Sequence, residues 1–277
     1  MKLLKGKLIA EKILNNLKLE IKRRGIKPGL AVVLIGDDKA SRIYVNLKKK
    51  AARKVGVGFY IFKFGDKAEE NKIIKKIKDL NADKKISGII VQFPLPKKFN
   101  TQKIINAIDL KKDADGFSAK GGGKISPVFP AAIVKLINQA FPKVQPSEFL
   151  RLNLRSVIIA NSEIFGRTIK SMLEEKNIAA EYFLYKNIKK NIIKIKNADI
   201  IVSAIGIPKL IKGDMIKKGA IIIDGGITKK GKKVLGDADY KSVKNTAGWL
   251  SPVPGGVGPV TVACLLENVY ILSKKKI

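Results

Sequence analysis

The chain of 277 residues is 45% hydrophobic, carries 56 Lys and Arg against 23 Asp and Glu for a net charge of +33, and has one cysteine and no histidine. This length allows one large domain or two ordinary ones, and the inventory excludes an intrachain disulfide, a Cys/His zinc cluster and a Ser-His or Cys-His dyad. No run of about eighteen uncharged apolar residues occurs and lysines interrupt Met1–Lys7, so neither a membrane span nor a secretory signal is expected and a cytoplasmic protein is.

In chain order, Ile9, Ile13, Leu17 and Ile21 repeat at helical spacing, predicting a helix over Leu8–Arg23 that stops at Gly25. The apolar run Leu30–Ile35 predicts a buried strand and Ser41–Lys54 the helix after it, which together begin a βα unit. A strand over Gly58–Phe64, a helix over Ala68–Leu80, a strand over Ile86–Phe93 and a short helix over Thr101–Ile108 behind Asn100 continue the alternation. The Gly-rich stretch Gly116–Ser126 reads as a hinge. Beyond it, Pro130 opens a helix over Ala131–Ala140, and a polar connection, Pro142–Asn153, leads to a strand over Ser156–Ala160. A helix over Thr168–Lys176, strands over Ala180–Leu184, Asp199–Ala204 and Ala220–Asp224, and a final helix over Thr261–Leu272 complete the pattern. No sequence repeat accompanies this rhythm.

The charge has two readings. A nucleic-acid-binding protein is one, with salt-sensitive binding to a polyanion. The other is a compositional bias toward lysine, and it is favoured because the lysines are spread over well-separated runs such as Lys48–Lys50 and Lys229–Lys233 with no nucleic-acid motif beside them. No specific nucleic-acid partner is expected.

Five segments carry candidate chemistry. Tyr44 and Lys48 stand one helical turn apart on one face; the pair is either an ordinary amphipathic face with a snorkelling lysine or a phenol and a partly desolvated amine acting on one ligand. Gln92 closes the strand Ile89–Val91 at its carboxyl end, where open α/β sheets bind ligands; it either caps the strand or orients a substrate or the lysine. Asp113 and Asp115 before Gly116 read as a turn, or as a carboxylate for the N–H groups of a pterin. Ser251–Pro259 is stiff and poor in side chains, allowing a close backbone approach to a ligand. Ala160, Asn161 and Ser162, followed by Gly166 ahead of the predicted helix, resemble a dinucleotide-binding turn, though a plain βα turn has the same form.

Together, "ASRIYVNLKKKA" (Ala40–Ala51), "GIIVQFPLP" (Gly88–Pro96), "KKDADGF" (Lys111–Phe117), "GDMIKKGAIIIDGGI" (Gly213–Ile227) and "SPVPGGVGPVTVA" (Ser251–Ala263) resemble, in register over nearly the whole chain, the bifunctional methylenetetrahydrofolate dehydrogenase/methenyltetrahydrofolate cyclohydrolase family. The resemblance implies two α/β domains flanking a folate cleft: a catalytic domain of residues 1–118 plus 253–277 and a Rossmann-like NAD(P)-binding domain of residues 119–252. It implies a catalytic set of Lys48, Tyr44, Gln92 and Asp115. The implied folate contacts are Ser41, Tyr44, Lys48, Val91, Gln92, Phe93, Asp115, Pro254, Gly255, Gly256, Val257 and Gly258. NADP, with NAD as the other candidate, would meet Ala160, Asn161, Ser162, Gly166, Lys186 and Ile227. The implied reactions are NADP-dependent oxidation of methylenetetrahydrofolate and hydrolysis of the methenyl product to formyltetrahydrofolate, with no metal, in a homodimer formed through the second domain.

The departures from the family pattern fall mainly in the second half. The segment "PCTPxG" reads Pro127-Val128-Phe129-Pro130-Ala131-Ala132 here, "GRS" reads Ala160-Asn161-Ser162, "HS" reads Tyr185-Lys186, and "DVGI" reads Asp224-Gly225-Gly226-Ile227. Lys186 is the candidate to meet a 2′-phosphate in place of the missing arginine. These changes leave two further expectations open: a relative dominated by cyclohydrolase activity, or one that binds folate without turnover.

Overall fold

The computed structural model describes residues 1–117, 125–142, 151–231 and 233–274. Most of the predicted Gly116–Ser126 hinge and of the Pro142–Asn153 connection therefore lies outside the described residues. The chain divides into two compact units, Met1–Ile9 with Phe129–Thr261 and Ala10–Val128 with Val262–Ile277. These limits differ from the expected domains at three places: residues 1–9 and 253–261 fall in the unit with 129–252, and residues up to 128 in the other.

The unit of residues 10–128 and 262–277 is built on a three-stranded parallel sheet in which β2 (Gly29–Ile35) lies between β3 (Gly58–Phe64) and β4 (Gly88–Gln92). Every residue of β2 is buried, as the unbroken apolar run requires of a central strand covered on both faces. Helix α1 (Gly6–Arg24) enters this unit, α2 (Lys39–Val55) follows β2 and α3 (Glu70–Ala82) precedes β4. Asp38 caps α2, its carboxylate accepting from Ser41 N at 2.6 Å, and Gly56 ends it with φ 84°. The short α4 (Thr101–Asn106) starts at Asn100, whose side chain accepts from Lys103 N, as expected. One core cluster joins Val33, Ile73, Ile77, Ile89, Val91 and Ile104.

The other unit holds a six-stranded parallel sheet. Its strands are β1 (Lys2–Leu3), β5 (Arg155–Ala160), β6 (Ala179–Leu184), β7 (Ile200–Ser203), β8 (Ile221–Asp224) and β11 (Trp249–Leu250), in the order β1-β11-β8-β7-β5-β6. The chain runs outward from β5 through α6 (Glu163–Glu174) to β6, then returns through α7 (Ile192–Asn197) to β7 on the opposite side of β5. Between β5 and β7 the strand order reverses, which makes the carboxyl ends of these strands, at Ala160 and Ser203, the topological switch point. A two-stranded sheet of β9 (Thr228–Lys230) and β10 (Lys233–Leu235), α5 (Val128–Ala140), α8 (Tyr240–Val243) and the start of α9 (Val257–Ser273) complete the unit.

Two of the predicted helix starts differ from expectation by four residues or more. Helix α6 begins at Glu163, five residues before the predicted Thr168, because Ser162 serves as its cap and accepts from Phe165 N. Helix α9 begins at Val257 instead of Thr261, with Pro259 inside its first turn, where a missing N–H costs nothing. Among the described residues no helix is long and apolar enough to cross a membrane.

Candidate active site

In the unit around β2, Lys48 on α2 and Gln92 at the end of β4 meet directly: Lys48 Nζ donates to Gln92 Oε1 at 3.0 Å. The Gln92 amide cannot turn freely, because its Nε2 donates to Phe93 O at 2.7 Å. Ser41 Oγ donates to the same carbonyl at 3.2 Å. Two turns of α2 thus carry Ser41, Tyr44 and Lys48 along a strand end that supplies Gln92 and Phe93. The Phe93 ring stands edge-on to Phe117 at 5.8 Å between centroids. Val91 has its side chain in the core cluster, so of the expected folate contacts it has only backbone to offer.

Asp115 is 8% exposed, in a segment bound to β4 by Ile89 N–H to Lys112 O at 2.7 Å and Ala114 N–H to Ile89 O at 3.2 Å. Gly116 N donates to Asp113 Oδ1 at 3.0 Å, and Asn268 of α9 donates to Ala114 O at 2.9 Å. The Asp113-Ala114-Asp115 turn is therefore pinned on both sides. Burial pushes the Asp115 carboxyl up to about 6, with the nearby Lys48 charge opposing the rise and Asp113 adding to it. Burial also lowers the Lys48 ammonium from the usual lysine range, against the attraction of Asp115, and raises the Tyr44 phenol. The result is an amine eased toward its neutral, basic form beside a fixed amide oxygen and a buried carboxyl group.

In the other unit, the expected dinucleotide turn stands at the switch point. Asn161 Nδ2 donates to Ile205 O at 2.9 Å, tying the loop after β5 to the loop after β7. Ser162 is exposed at the amino terminus of α6, where the first backbone N–H groups have no intrahelical acceptor and the helix dipole favours an anion. Gly166 does not precede the helix; it lies within it, buried against Tyr182, whose Cδ2 would be 2.4 Å from an added Cβ. It thus serves helix–strand packing. Lys186 is exposed just past the end of β6, and Ile227, 44% exposed, follows β8. A helix amino terminus at a switch point, with an accessible lysine past the neighbouring strand, fits a phosphate-bearing dinucleotide.

Of the loop Pro254–Gly258, Gly256 and Val257 are buried within this unit, Pro254 is exposed, and Gly255 and Gly258 are intermediate. Gly256 N–H bonds Pro252 O at 2.7 Å, and an added Cβ on Gly6 would fall 1.8 Å from Gly256 O. The loop is thus held against the chain's first helix by backbone contact.

Two departures noted in the sequence meet in the structure. An added Cβ at Gly225 would come within 2.5 Å of Phe129 Cζ, so the Phe129 ring occupies the room that the family's valine at 225 would need. The same ring packs on Phe165 at 5.4 Å.

Sequence reasoning missed a buried carboxylate pair in this unit. Asp237 is fully buried; its Oδ2 accepts from Ser203 Oγ and Ile205 N, each at 2.7 Å, and its Oδ1 from Gly206 N and Ile207 N, each at 2.9 Å. Asp224 in turn accepts from Asp237 N at 2.9 Å, Ala238 N at 2.8 Å and Gly226 N at 3.0 Å. Burial pushes its carboxyl up to about 6. The only sequence signal was a pair of aspartates near glycines, Asp224-Gly225 and Gly236-Asp237, which reads equally as turns.

Comparison with known proteins matches both halves of the chain. Residues 4–115 match the tetrahydrofolate dehydrogenase/cyclohydrolase catalytic domain and residues 127–277 the NAD(P)-binding domain of the same family. The bifunctional protein FolD of Acetivibrio thermocellus is 38% identical over 285 residues, covering 99% of this chain and 97% of that protein. The bifunctional enzyme FolD, methylenetetrahydrofolate dehydrogenase/cyclohydrolase, of Campylobacter jejuni superposes with a TM-score of 0.88 at 33% identity over 100% of both chains. The Trypanosoma brucei methylenetetrahydrofolate dehydrogenase-cyclohydrolase, solved with NADP and an inhibitor, gives 0.87 at 27% identity, covering 98% of this chain and 97% of that one. Because the likeness spans the nucleotide-binding half as well, it does not favour a nucleic-acid-binding protein or a folate binder without turnover. The chain belongs to the tetrahydrofolate dehydrogenase/cyclohydrolase family.

Proposed function

We propose that this protein is a bifunctional enzyme of folate one-carbon metabolism, oxidising methylenetetrahydrofolate with NADP and hydrolysing the methenyl product to formyltetrahydrofolate. The observation that carries the reading is the 3.0 Å bond from Lys48 Nζ to an amide oxygen whose orientation is fixed by Phe93 O.

In the oxidation, the protein's task is chiefly positioning. Asp115, whose carboxyl burial raises to about 6, accepts N–H groups of the pterin as a carboxylate, and Tyr44 stacks on it. Ser162 and the first turn of α6 would hold the pyrophosphate of NADP, and Lys186 would meet its 2′-phosphate. The cofactor would supply the hydride acceptor.

In the hydrolysis, the substrate is already a cation, so water needs only a group to take its proton. Neutral Lys48 takes one proton from the attacking water as the C–O bond forms and returns it to the ring nitrogen as the C–N bond opens; the remaining hydroxyl proton leaves to solvent as the formyl C=O forms, so one proton is released overall. Gln92 keeps the amine aimed during both transfers. No histidine is required, in keeping with the composition.

A homodimer through the nucleotide-binding unit, carried over from the family resemblance, and the cytoplasmic location expected from the sequence complete the proposal. Light scattering tests the dimer, which should have twice the chain mass of 30.4 kDa. The central test follows NADPH and the methenyl chromophore with purified protein. Both activities are expected, and Lys48→Met should abolish hydrolysis while retaining folate binding; turnover unaffected by that change would refute the assignment.

A further inference from the structure

We propose that Asp237, assisted by Thr228, is a positioning residue that presets the loop 204–208 for the uncharged part of the bound dinucleotide. The inference rests on the dinucleotide reading above. The loop leaves β7 at the switch point, beside the turn after β5, and Asn161 ties the two together.

Three consecutive amides of this loop, Ile205, Gly206 and Ile207, turn inward to one buried carboxylate. Gly206 has φ 80°, a left-handed conformation that this convergence requires. From the other side, Thr228 Oγ1 donates to Gly206 O at 2.7 Å. Room for the carboxylate is made by Gly226, where an added Cβ would lie 2.1 Å from Asp237 Oδ1.

The chemical consequence is a division of labour between the two switch-point loops. Amides already bonded to Asp237 are not available to a phosphate, and the carboxylate beneath them repels one. The Ile205 and Gly206 carbonyls are engaged by Asn161 and Thr228 and Ile205 packs on the core cluster, which leaves the half-buried Ile207 and Pro208 as an uncharged surface suited to ribose and nicotinamide. Phosphate is left to the amino terminus of α6. An asparagine at 237 keeps one acceptor oxygen; with its NH2 on the Oδ2 side Ser203 Oγ can turn to accept, but Ile205 N–H then faces a donor, so at least one of the three loop amides loses its bond.

The test measures NADP binding by calorimetry on the full chain, beside steady-state kinetics of both reactions and amide exchange at residues 205–207. Asp237→Asn is expected to weaken NADP about tenfold and Thr228→Val about threefold. Both should raise KM for NADP more than they lower kcat, speed exchange at 205–207, and leave cofactor-free methenyl hydrolysis within about twofold. If wild-type protein does not bind NADP, the dinucleotide reading itself fails. If it does bind, and either folded variant matches its affinity or loses hydrolysis in parallel with oxidation, the positioning role is overturned. Should Asp237→Asn not fold, Thr228→Val alone decides on the same criteria.

Discussion

Burial drives Lys48 and Asp115 toward neutrality from opposite sides, the amine downward and the carboxyl up to about 6, while their mutual attraction pulls both back toward charge. Each residue therefore sets the titration of the other. Removing the negative charge with Asp115→Asn takes away the one influence that raises the lysine, so its proton affinity falls further. If neutral Lys48 is the base, the acid limb of the hydrolysis profile moves to lower pH, apart from any loss of folate affinity. The reciprocal change, Lys48→Met, is expected to carry the Asp115 carboxyl above about 6, read by carbon NMR of the labelled side chain.

Gln92→Glu tests the same site with the opposite sign. A carboxylate in place of the amide oxygen 3.0 Å from Nζ favours the ammonium, so the acid limb shifts to higher pH and hydrolysis at neutral pH drops roughly 10- to 100-fold. A pH–rate profile that keeps its shape and loses only height would argue against Lys48 as the base.

Asp224 makes a stability prediction. Its carboxyl titrates at about 6 in the folded chain against an ordinary 3.8, so between these values the native state holds the extra proton. Its contribution is present below about pH 4 and is lost as pH rises through about 6, a change of about 3 kcal/mol. Trp249 is the single tryptophan and lies in the same unit, so its fluorescence in urea reports that unit alone. Asp224→Asn should flatten the slope between pH 4 and 6, so that it falls further below wild type at pH 4 than at pH 7; an unchanged slope would remove Asp224 as its source.

The contact of Gly225 with Phe129 predicts a coupled pair. Gly225→Val alone drives a side chain into the ring, and Phe129→Thr alone leaves a cavity, each costing about 1–3 kcal/mol or more. The double variant should recover at least about 1 kcal/mol over the sum, measured by the same Trp249 transition. Strict additivity would mean the two departures from the family pattern are unrelated.

Lys186→Ala addresses cofactor choice. Loss of its charge should raise KM for NADP about tenfold, while KM for NAD, which lacks the 2′-phosphate, changes little.

Much of this fold was legible because buried parallel strands announce themselves: β2, β3 and β4 fall within two residues of the apolar runs that predicted them, and β5 to β8 follow suit. The two-residue strands β1 and β11 carry no such pattern, since pairing alone defines them. The start of α6 was obscured because Ser162 signals a cap but Gly166, four residues on, resembles a loop glycine. Tyr44, Lys48 and Gln92 were readable as a periodicity and a strand end. Their bond, across 44 positions of sequence, needed coordinates. Asp237 was illegible for the same reason: the backbone N–H groups that donate to it lie some thirty residues upstream.

The pairing of β1 with β11 joins Lys2 to Trp249, so a two-residue strand finds its partner far along the chain and cannot form before residue 249 has been made. Residues 29–92 can assemble β2, β3 and β4 earlier in synthesis, whereas the nucleotide-binding sheet gains its β1 edge late. A ribosome stalled before residue 249 would hold a nascent protein with one sheet formed and Lys2–Leu3 still unpaired.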